Sequence, residues 1–350
     1  MKILLVKLSS LGDVVHTLPV VQDILAAFPA AQIDWVVERS FAPVLTPACG
    51  LHRVIPCELR RWRRSVFSTS TRAEWRAFKA DLQRDAYDAV IDLQGLTKSA
   101  VVARLARLNS GGKRFAMANR TEGSGYEAPT RWLADVAIAM APHVHAVARG
   151  RALAACALNY VPAEKPDFGL SFKPNVPVVQ VFTACKAIEK IADSTSAQTV
   201  ALVHGTSRAD KQWPLENWVE LGQRLNAQGF QVALTHGSAS EQATSRAVAA
   251  QLDNAVLWPM LPLNDVARAL VLCRAVVGID SGVSHIAVAL DVAHVQIYNF
   301  NTAWRTGPDA ATSHGRQVSV FATPTPGVEA VWRALRTVIE NSQPSTNQVA

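Results

Sequence analysis

Ile3-Leu4-Leu5-Val6-Lys7-Leu8-Ser9-Ser10-Leu11-Gly12-Asp13-Val14-Val15-His16 is the stretch on which the fold turns. Its start, Ile3–Leu8, is apolar enough to read as a buried strand. A short polar loop bends at Gly12, and a helix is expected from about Val14. A strand that runs directly into a helix is half of a βαβ unit, and the same pattern recurs along the chain. Further strands are expected at Ile33–Glu38, Arg53–Pro56 and Ala89–Leu93, with helices around Arg72–Arg84 and after Thr97. A second series follows, with strands at Val200–His204, Gln231–His236, Ala275–Asp280 and His294–Tyr298. Its helices are expected at Pro214–Asn226, Glu241–Leu252, Asn264–Cys273 and Val283–Leu290. Alternation of this kind implies an α/β protein with parallel sheets covered by helices on both faces.

The length of 350 residues suits two such domains. Asn159–Pro177 carries Pro162, Pro166, Pro174 and Pro177 with little periodicity, and is the natural linker. The expected organisation is a first Rossmann-like domain over 1–160, a linker over 161–178 and a second Rossmann-like domain over 179–325. A terminal helix over 326–341 and a frayed polar tail over 342–350 complete it. At 49% hydrophobic residues the chain is no disordered polymer, and no run approaches the roughly 20 apolar residues of a membrane-spanning helix. The four-residue apolar run Ile3–Val6 is too short for a signal peptide. Cys49, Cys57, Cys156, Cys185 and Cys273 form no metal-type spacing, so reduced thiols in a cytoplasmic protein are expected.

The net charge of +7 is unevenly placed. Residues 1–175 hold 23 basic and 15 acidic side chains, while 176–350 hold 12 and 13. Within 51–120 the excess reaches +9, with Arg60, Arg61, Arg63 and Arg64 gathered around Trp62. A field this local attracts an anion such as a nucleic acid, a phospholipid headgroup or a phosphorylated substrate. It is equally what an ordinary solvated basic surface looks like.

Ligands of open α/β sheets bind beyond the C-terminal ends of the strands, so three loops matter most. In Leu8–His16 the backbone amides suit an anion and Asp13 is a candidate acid or base, although the spacing also fits a plain helix cap. One glycine where a dinucleotide fingerprint has three, and no P-loop, remove the best support for nicotinamide chemistry or NTP hydrolysis. In His204–Pro214, Thr206, Ser207 and Lys211 could hold a diphosphate, or form an ordinary polar connection. In Val277–Ala287, an apolar strand delivers Asp280, Ser281 and Gly282 to a helix start suited to phosphate. His285 either faces that phosphate or is a satisfied core histidine. No pair of Asp residues stands at i, i+2 and no Cys/His cluster is present, so no metal and no cofactor are expected. A departing diphosphate would then be met by lysine and helix amides.

Taken together, Leu8–Asp13, Asp34–Glu38, Arg60–Arg64, Asp88–Leu96, Asp210–Pro214 and Asp280–His285 resemble the lipopolysaccharide heptosyltransferases of glycosyltransferase family 9. The Arg-rich segment is closest to those of type I. The likeness runs in order from Lys2 to about Ile339. It implies a GT-B fold, two Rossmann-like doubly wound domains facing across a cleft, acceptor on the first and sugar nucleotide on the second. It also implies transfer of L-glycero-D-manno-heptose from ADP-heptose to the inner Kdo of Kdo2–lipid A with inversion, at the cytoplasmic face of the inner membrane.

The resemblance assigns roles residue by residue. Asp13 matches the general base. Thr206, Ser207 and Lys211 match positions holding the diphosphate and nearby sugar groups, and Glu241 matches an acid on the nucleoside. Asp280, Ser281, Gly282 and His285 match the donor-binding helix start. Leu261 stands on the adenine side where methionine is familiar, a change that a backbone contact would survive. Glycine at 205 replaces a more usual alanine, without an obvious functional cost. For the acceptor, Ser10, Gly12, Arg60, Arg61, Arg63, Arg64, Lys98 and Arg120 are the candidates. Two other readings compete: a type II-like enzyme acting on an already heptosylated core, and a non-enzymatic module binding nucleic acid through its basic half. The second lacks any RNP, KH or zinc-finger signature, so no nucleic-acid partner is expected.

Overall fold

The computed structural model describes residues 1–46, 48, 50–170, 198–308, 313 and 315–342. The chain divides into two compact units, Met1–Ser171 and Phe172–Ala350. The linker expected over 161–178 spans this division, and its residues 171–178 lie outside the described ones, as does the tail from 343.

The first unit runs β1 (Lys2–Val6), α1 (Leu11–Ala27), β2 (Gln32–Glu38), α2 (Ala42–Leu45), β3 (Leu51–Cys57), α3 (Leu59–Trp62), α4 (Thr69–Leu82), β4 (Ala86–Asp92), α5 (Thr97–Leu105), β5 (Arg107–Met117), α6 (Pro129–Leu133), β6 (Val136–Ile138) and α7 (Ala146–Leu158). Its strands form one parallel sheet in the order β3-β2-β1-β4-β5-β6. Because β1 lies inside a sheet covered on both faces, Ile3, Leu4, Leu5 and Val6 are all wholly buried. Each such side chain contributes roughly 1.5–3 kcal/mol, which is why four consecutive apolar residues specify a central strand rather than an edge.

The second unit runs β7 (Thr199–Val203), α8 (Leu215–Ala227), β8 (Gln231–Leu234), α9 (Ala239–Ala249), β9 (Ala255–Leu257), α10 (Leu263–Val271), β10 (Ala275–Ile279), α11 (Gly282–Ala289), β11 (His294–Tyr298), α12 (Ala303–Thr306), β12 (Gln317–Phe321) and α13 (Val328–Asn341). Its sheet is also parallel, in the order β12-β11-β10-β7-β8-β9. Counted from its own first strand this is the same 3-2-1-4-5-6 order as the first sheet, the doubly wound Rossmann arrangement. In such a sheet the winding reverses between the two central strands and opens a crevice beyond their C-terminal ends. Those strands are β1 and β4 in the first unit, and β7 and β10 in the second.

The eight strands expected from the sequence are all present, within a few residues at their ends, and the helix starting near Val14 begins at Leu11. Gly12 and Asp13 therefore lie in the first helical turn and not ahead of it. Four further strands, β5, β6, β9 and β12, carry weak sequence signals. The ladder of β5 with β4 shifts register around Asn109–Gly112, β6 and β9 have three residues each, and β12 is a partly exposed edge strand.

Candidate active site

At the crevice of the first unit, β1 ends at Val6 and the chain turns through Lys7, Leu8, Ser9 and Ser10 into α1. The turn is held from the β4 side, because Gln94 Oε1 accepts the amides of Leu8 and Ser9 at 3.1 and 3.0 Å. Ser10 is the N-cap and Asp13 the third helical residue. Asp13 Oδ2 accepts both the Ser10 amide and the Ser10 hydroxyl, each at 2.9 Å. Its other oxygen, Oδ1, has a looser approach, 3.8 Å from the buried Lys7 ammonium. Lys7 is itself anchored by donating to the Leu93 carbonyl at 2.8 Å. The cap and base readings of Asp13 thus fall on different oxygens of one carboxylate. One is committed to the helix start, while the side chain as a whole remains 37% exposed.

The electrostatics suit an ionised acid. Partial burial pushes the Asp13 carboxyl up, but the Lys7 charge, the two Ser10 donors and Arg149 together hold it below the usual carboxylate range. Lys7 is pushed down by burial, against the pull of Asp13. At the end of β4, Asp92 is almost fully enclosed, and burial raises it to about 6 despite the amides of Gln94 and Gly95, the Ser99 hydroxyl and Lys7. Lys98, at the start of α5, donates to Ser9 Oγ at 3.2 Å.

Ser10, Gly12, Asp13 and Lys98 are therefore brought together at the crevice. The arginine segment lies beyond the C-terminal end of β3, on α3 and the turn after it. There the Arg60 amide donates to Glu38 Oε1 at 3.3 Å, which ties the segment to the end of β2. Arg61 is engaged by Glu58 and Glu74, whereas Arg60, Arg63 and Arg64 are exposed and form no ion pair among the described residues. Arg120 is exposed on the loop after β5. Inspection of the sequence overlooked Lys7, Gln94, Asp92 and Arg149. Asp92 and Gln94 lie within the quoted 88–96 motif, but only the β1–β4 pairing shows that they face the Ser9–Asp13 turn.

The crevice of the second unit is built around Asp280. Lys211 Nζ donates to Asp280 Oδ2 at 2.5 Å, and His285 Nε2 lies 3.3 Å from Oδ1. Burial works against ionisation of Asp280, but His285 and Lys211 outweigh it and hold the carboxyl well below its usual range. For His285 the sequence left open a phosphate-facing and a core role. In this structure both oxygens of Asp280 have partners, and His285 is a buried residue joined to Asp280 and, through Nδ1, to Gln296 at 3.4 Å. Ser281 caps α11, its hydroxyl accepting the Ser284 amide. The Gly282 and Val283 amides then open the helix in the first turn, where no intrahelical acceptor exists.

Thr206 and Ser207 stand in the loop between β7 and Lys211, with Thr206 Oγ1 accepting the Arg208 amide at 3.4 Å. Glu241, in the first turn of α9, accepts the Gly237 amide at 2.7 Å and lies against the same loop. A Cβ at Gly205 would come within 2.7–2.9 Å of the Glu241 carboxyl group, so an alanine there requires Glu241 to move. His204, at the end of β7, shares a 2.7 Å hydrogen bond with Ser245 and, being buried, has its pKa lowered. Leu261 lies farther along, after β9, and is partly buried. No group of three or more His, Cys, Asp or Glu among the described residues is arranged to hold a metal ion.

Comparison with known proteins gives consistent relatives. Residues 75–336 match the family model described as glycosyltransferase family 9 (heptosyltransferase). The chain is 37% identical over 324 residues to lipopolysaccharide heptosyltransferase 1 of Pseudomonas aeruginosa PAO1, covering 90% of this chain and 82% of that one. It is 34% identical over 331 residues to lipopolysaccharide heptosyltransferase 1 of Escherichia coli K12, covering 93% and 94%. Its structure is similar to that of E. coli heptosyltransferase WaaC with ADP, with a TM-score of 0.83 and 32% identity over 98% of this chain and 100% of that one.

Proposed function

The chain belongs to glycosyltransferase family 9, the heptosyltransferases, and from that membership we propose that it transfers heptose from ADP-heptose to a lipopolysaccharide inner-core acceptor. The acceptor is Kdo2–lipid A and the sugar L-glycero-D-manno-heptose, placed on the inner Kdo, as the type I relatives and the arginine segment favour. The observation that carries the reading is the identity of more than a third to a heptosyltransferase 1 over nine-tenths of the chain. The two Rossmann crevices, each with charged residues at its switch point, agree with a GT-B enzyme. The protein would act as a peripheral enzyme at the cytoplasmic face of the inner membrane. No helix among the described residues is long and apolar enough to cross one.

In the proposed step, an acceptor hydroxyl oxygen forms a bond to the anomeric carbon while the carbon–oxygen bond to ADP breaks. The electron pair leaves with ADP, and the hydroxyl proton passes to Asp13 Oδ1, the oxygen not committed to Ser10. Attack opposite the leaving group inverts the centre, through a transition state with oxocarbenium character. Lys211 and the first amides of α11 meet the charge that develops on the diphosphate. Thr206 and Ser207 lie beside that diphosphate, Glu241 holds the nucleoside, and the Leu261 backbone lies on the adenine side. Ser10, Gly12, Lys98, Arg60, Arg63, Arg64 and Arg120 serve the anionic acceptor, whereas Arg61 first braces its neighbours through Glu58 and Glu74.

The test is ADP release with each substrate alone and with both. Release only when ADP-heptose and Kdo2–lipid A, or its deacylated core, are both present is the expected result. Turnover confined to an already heptosylated core would assign a type II-like activity, and no turnover with either acceptor would overturn the reading. Added EDTA is expected to leave the rate unchanged, since Lys211 and helix amides are the proposed electrophiles.

A further inference from the structure

The turn between α3 and α4 exposes what a water-facing surface ordinarily hides. Trp62, at the end of α3, is buried, donates through Nε1 to Glu74 at 2.8 Å and meets the Trp75 ring edge-on at 5.7 Å. Phe78 closes the cluster. The residues that follow point outward: Val66 is 51% exposed and Phe67 84%, more than any other aromatic side chain among the described residues. Beside them is a largely apolar pocket of 380 Å³ lined by Leu59, Trp62, Val66 and Trp75, with Arg72 and Arg76 contributing to its wall.

The charge around this tip is as one-sided as its apolar surface is open. Residues 60–76 contain six arginines and one acid, and that acid, Glu74, is taken up by Arg61 and Trp62. Arg63, Arg64, Arg72 and Arg76 are exposed and form no ion pair among the described residues. A nucleic acid would use the arginines but offer nothing to a Val66–Phe67 tip and an apolar pocket. An anionic bilayer offers phosphates at the depth of guanidinium groups and hydrocarbon just below them, the combination that an apolar tip with a basic collar fits. An exposed apolar patch rimmed by charge is otherwise a liability in water.

We propose that the α3–α4 turn is a membrane-contact wedge, in which Val66 and Phe67 enter the interface of an anionic phospholipid bilayer while Arg72 and Arg76 bind its headgroups. The proposal rests on the peripheral-enzyme reading above and gives it a specific surface. Arg72 and Arg76 stand outside the groups assigned to donor or acceptor, so they separate lipid binding from catalysis.

The experiment uses the full-length protein and vesicles that contain no lipopolysaccharide precursor. Partitioning is compared between phosphatidylethanolamine vesicles with 30% phosphatidylglycerol and pure phosphatidylcholine vesicles, for wild type, Phe67→Ser and the Arg72→Glu, Arg76→Glu pair. Turnover of a deacylated acceptor in solution is measured alongside. The expected result is salt-sensitive binding to the anionic vesicles, weakened at least tenfold by Phe67→Ser. The charge reversal is expected to weaken it on the order of thirtyfold or more. Turnover in solution should stay near wild type for both. Equal binding to both vesicle types, or binding untouched by both variants, would overturn the wedge. So would binding that appears only in a third vesicle set to which Kdo2–lipid A is added, which would assign the surface to the acceptor. Loss of turnover on the soluble acceptor by the wild-type protein would instead strike the proposed activity and leave the vesicle result standing.

Discussion

Lys211 Nζ lies 2.5 Å from Asp280 Oδ2, so the cation proposed to meet the diphosphate rests on an acid of its own crevice. His285 holds the other oxygen of the same carboxylate at 3.3 Å. Asp280 is nearly enclosed and keeps its charge through these two neighbours. If Lys211 has the proposed role, a diphosphate arriving at α11 competes with Asp280 for it. On that reading, the resting ion pair holds the lysine in place before the donor binds.

Replacing Lys211 by Met tests that relationship. It removes one partner of a mostly buried pair and leaves Asp280 with His285 alone. The apo protein is expected to lose about 1–3 kcal/mol of stability, less than a fully buried pair because Lys211 is partly exposed. ADP affinity is expected to fall by about tenfold or more. Urea denaturation and calorimetric titration with ADP measure the two effects, and unchanged ADP affinity would remove Lys211 from the donor site.

Asp13→Asn keeps a side-chain acceptor for Ser10 while deleting the proton acceptor. Turnover is expected to drop by roughly 10²–10⁴-fold with ADP affinity unaltered, the outcome for loss of a general base. Because Lys7, Ser10 and Arg149 hold Asp13 below the ordinary carboxylate range despite its burial, it stays ionised through weakly acidic pH. Any acid limb due to Asp13 in the kcat/KM profile is expected below the ordinary carboxylate range. A limb near neutrality that vanishes in Asp13→Asn would contradict this.

Asp92 works in the opposite direction. Burial raises it to about 6 in the folded protein, from an ordinary value near 3.8. Between those values the folded state holds a proton that the unfolded chain has released, so this group makes stability fall as pH rises from about 4 to 6. Above pH 6 the penalty is complete, on the order of 3 kcal/mol. Asp92→Asn keeps acceptors for the Gln94 and Gly95 amides and should flatten that segment of the stability profile relative to wild type. Denaturation series at pH 4, 5, 6 and 7 compare the two proteins, and parallel curves would refute the assignment.

Two glycines should respond differently to alanine. At Gly278 a Cβ would overlap the Ser284 hydroxyl and come within 2.9 Å of Val203 Cβ, in the packed centre of the second sheet. That overpacking is expected to cost about 1–3 kcal/mol. At Gly205 the obstruction is the end of the Glu241 side chain, which can swing aside. Gly205→Ala should leave the melting temperature within a degree or two of wild type while altering ADP affinity through the displaced carboxylate. If melting falls at 205 and not at 278, the packing account is wrong at both.

Short-range pattern determined a great deal. The buried run Ile3–Val6, its counterpart Ala275–Ile279 and the helices after them specify parallel βα units, because only a strand covered on both faces can afford a continuous apolar run. The same local reasoning located Asp13, Lys211, Asp280 and His285 just beyond strand ends, with Asp13 and His285 inside the helices that begin there. Strands β6 and β9 escaped it because three residues carry no period, and β5 because its Gly111-Gly112 irregularity breaks the alternation.

What the tertiary structure alone decided is which of those residues meet. Strand order places β4 beside β1, bringing Gln94 and Lys98 onto the Ser9–Asp13 turn across more than 80 residues of chain. The pairing of β7 with β10 sets Lys211 against Asp280. Arg61 is an exposed arginine like its neighbours by sequence, yet Glu58 and Glu74 engage it. Sequence spacing records neighbours within one element. Charge pairing across a sheet, and with it each protonation state and each open valence, depends on strand order, which no local pattern encodes.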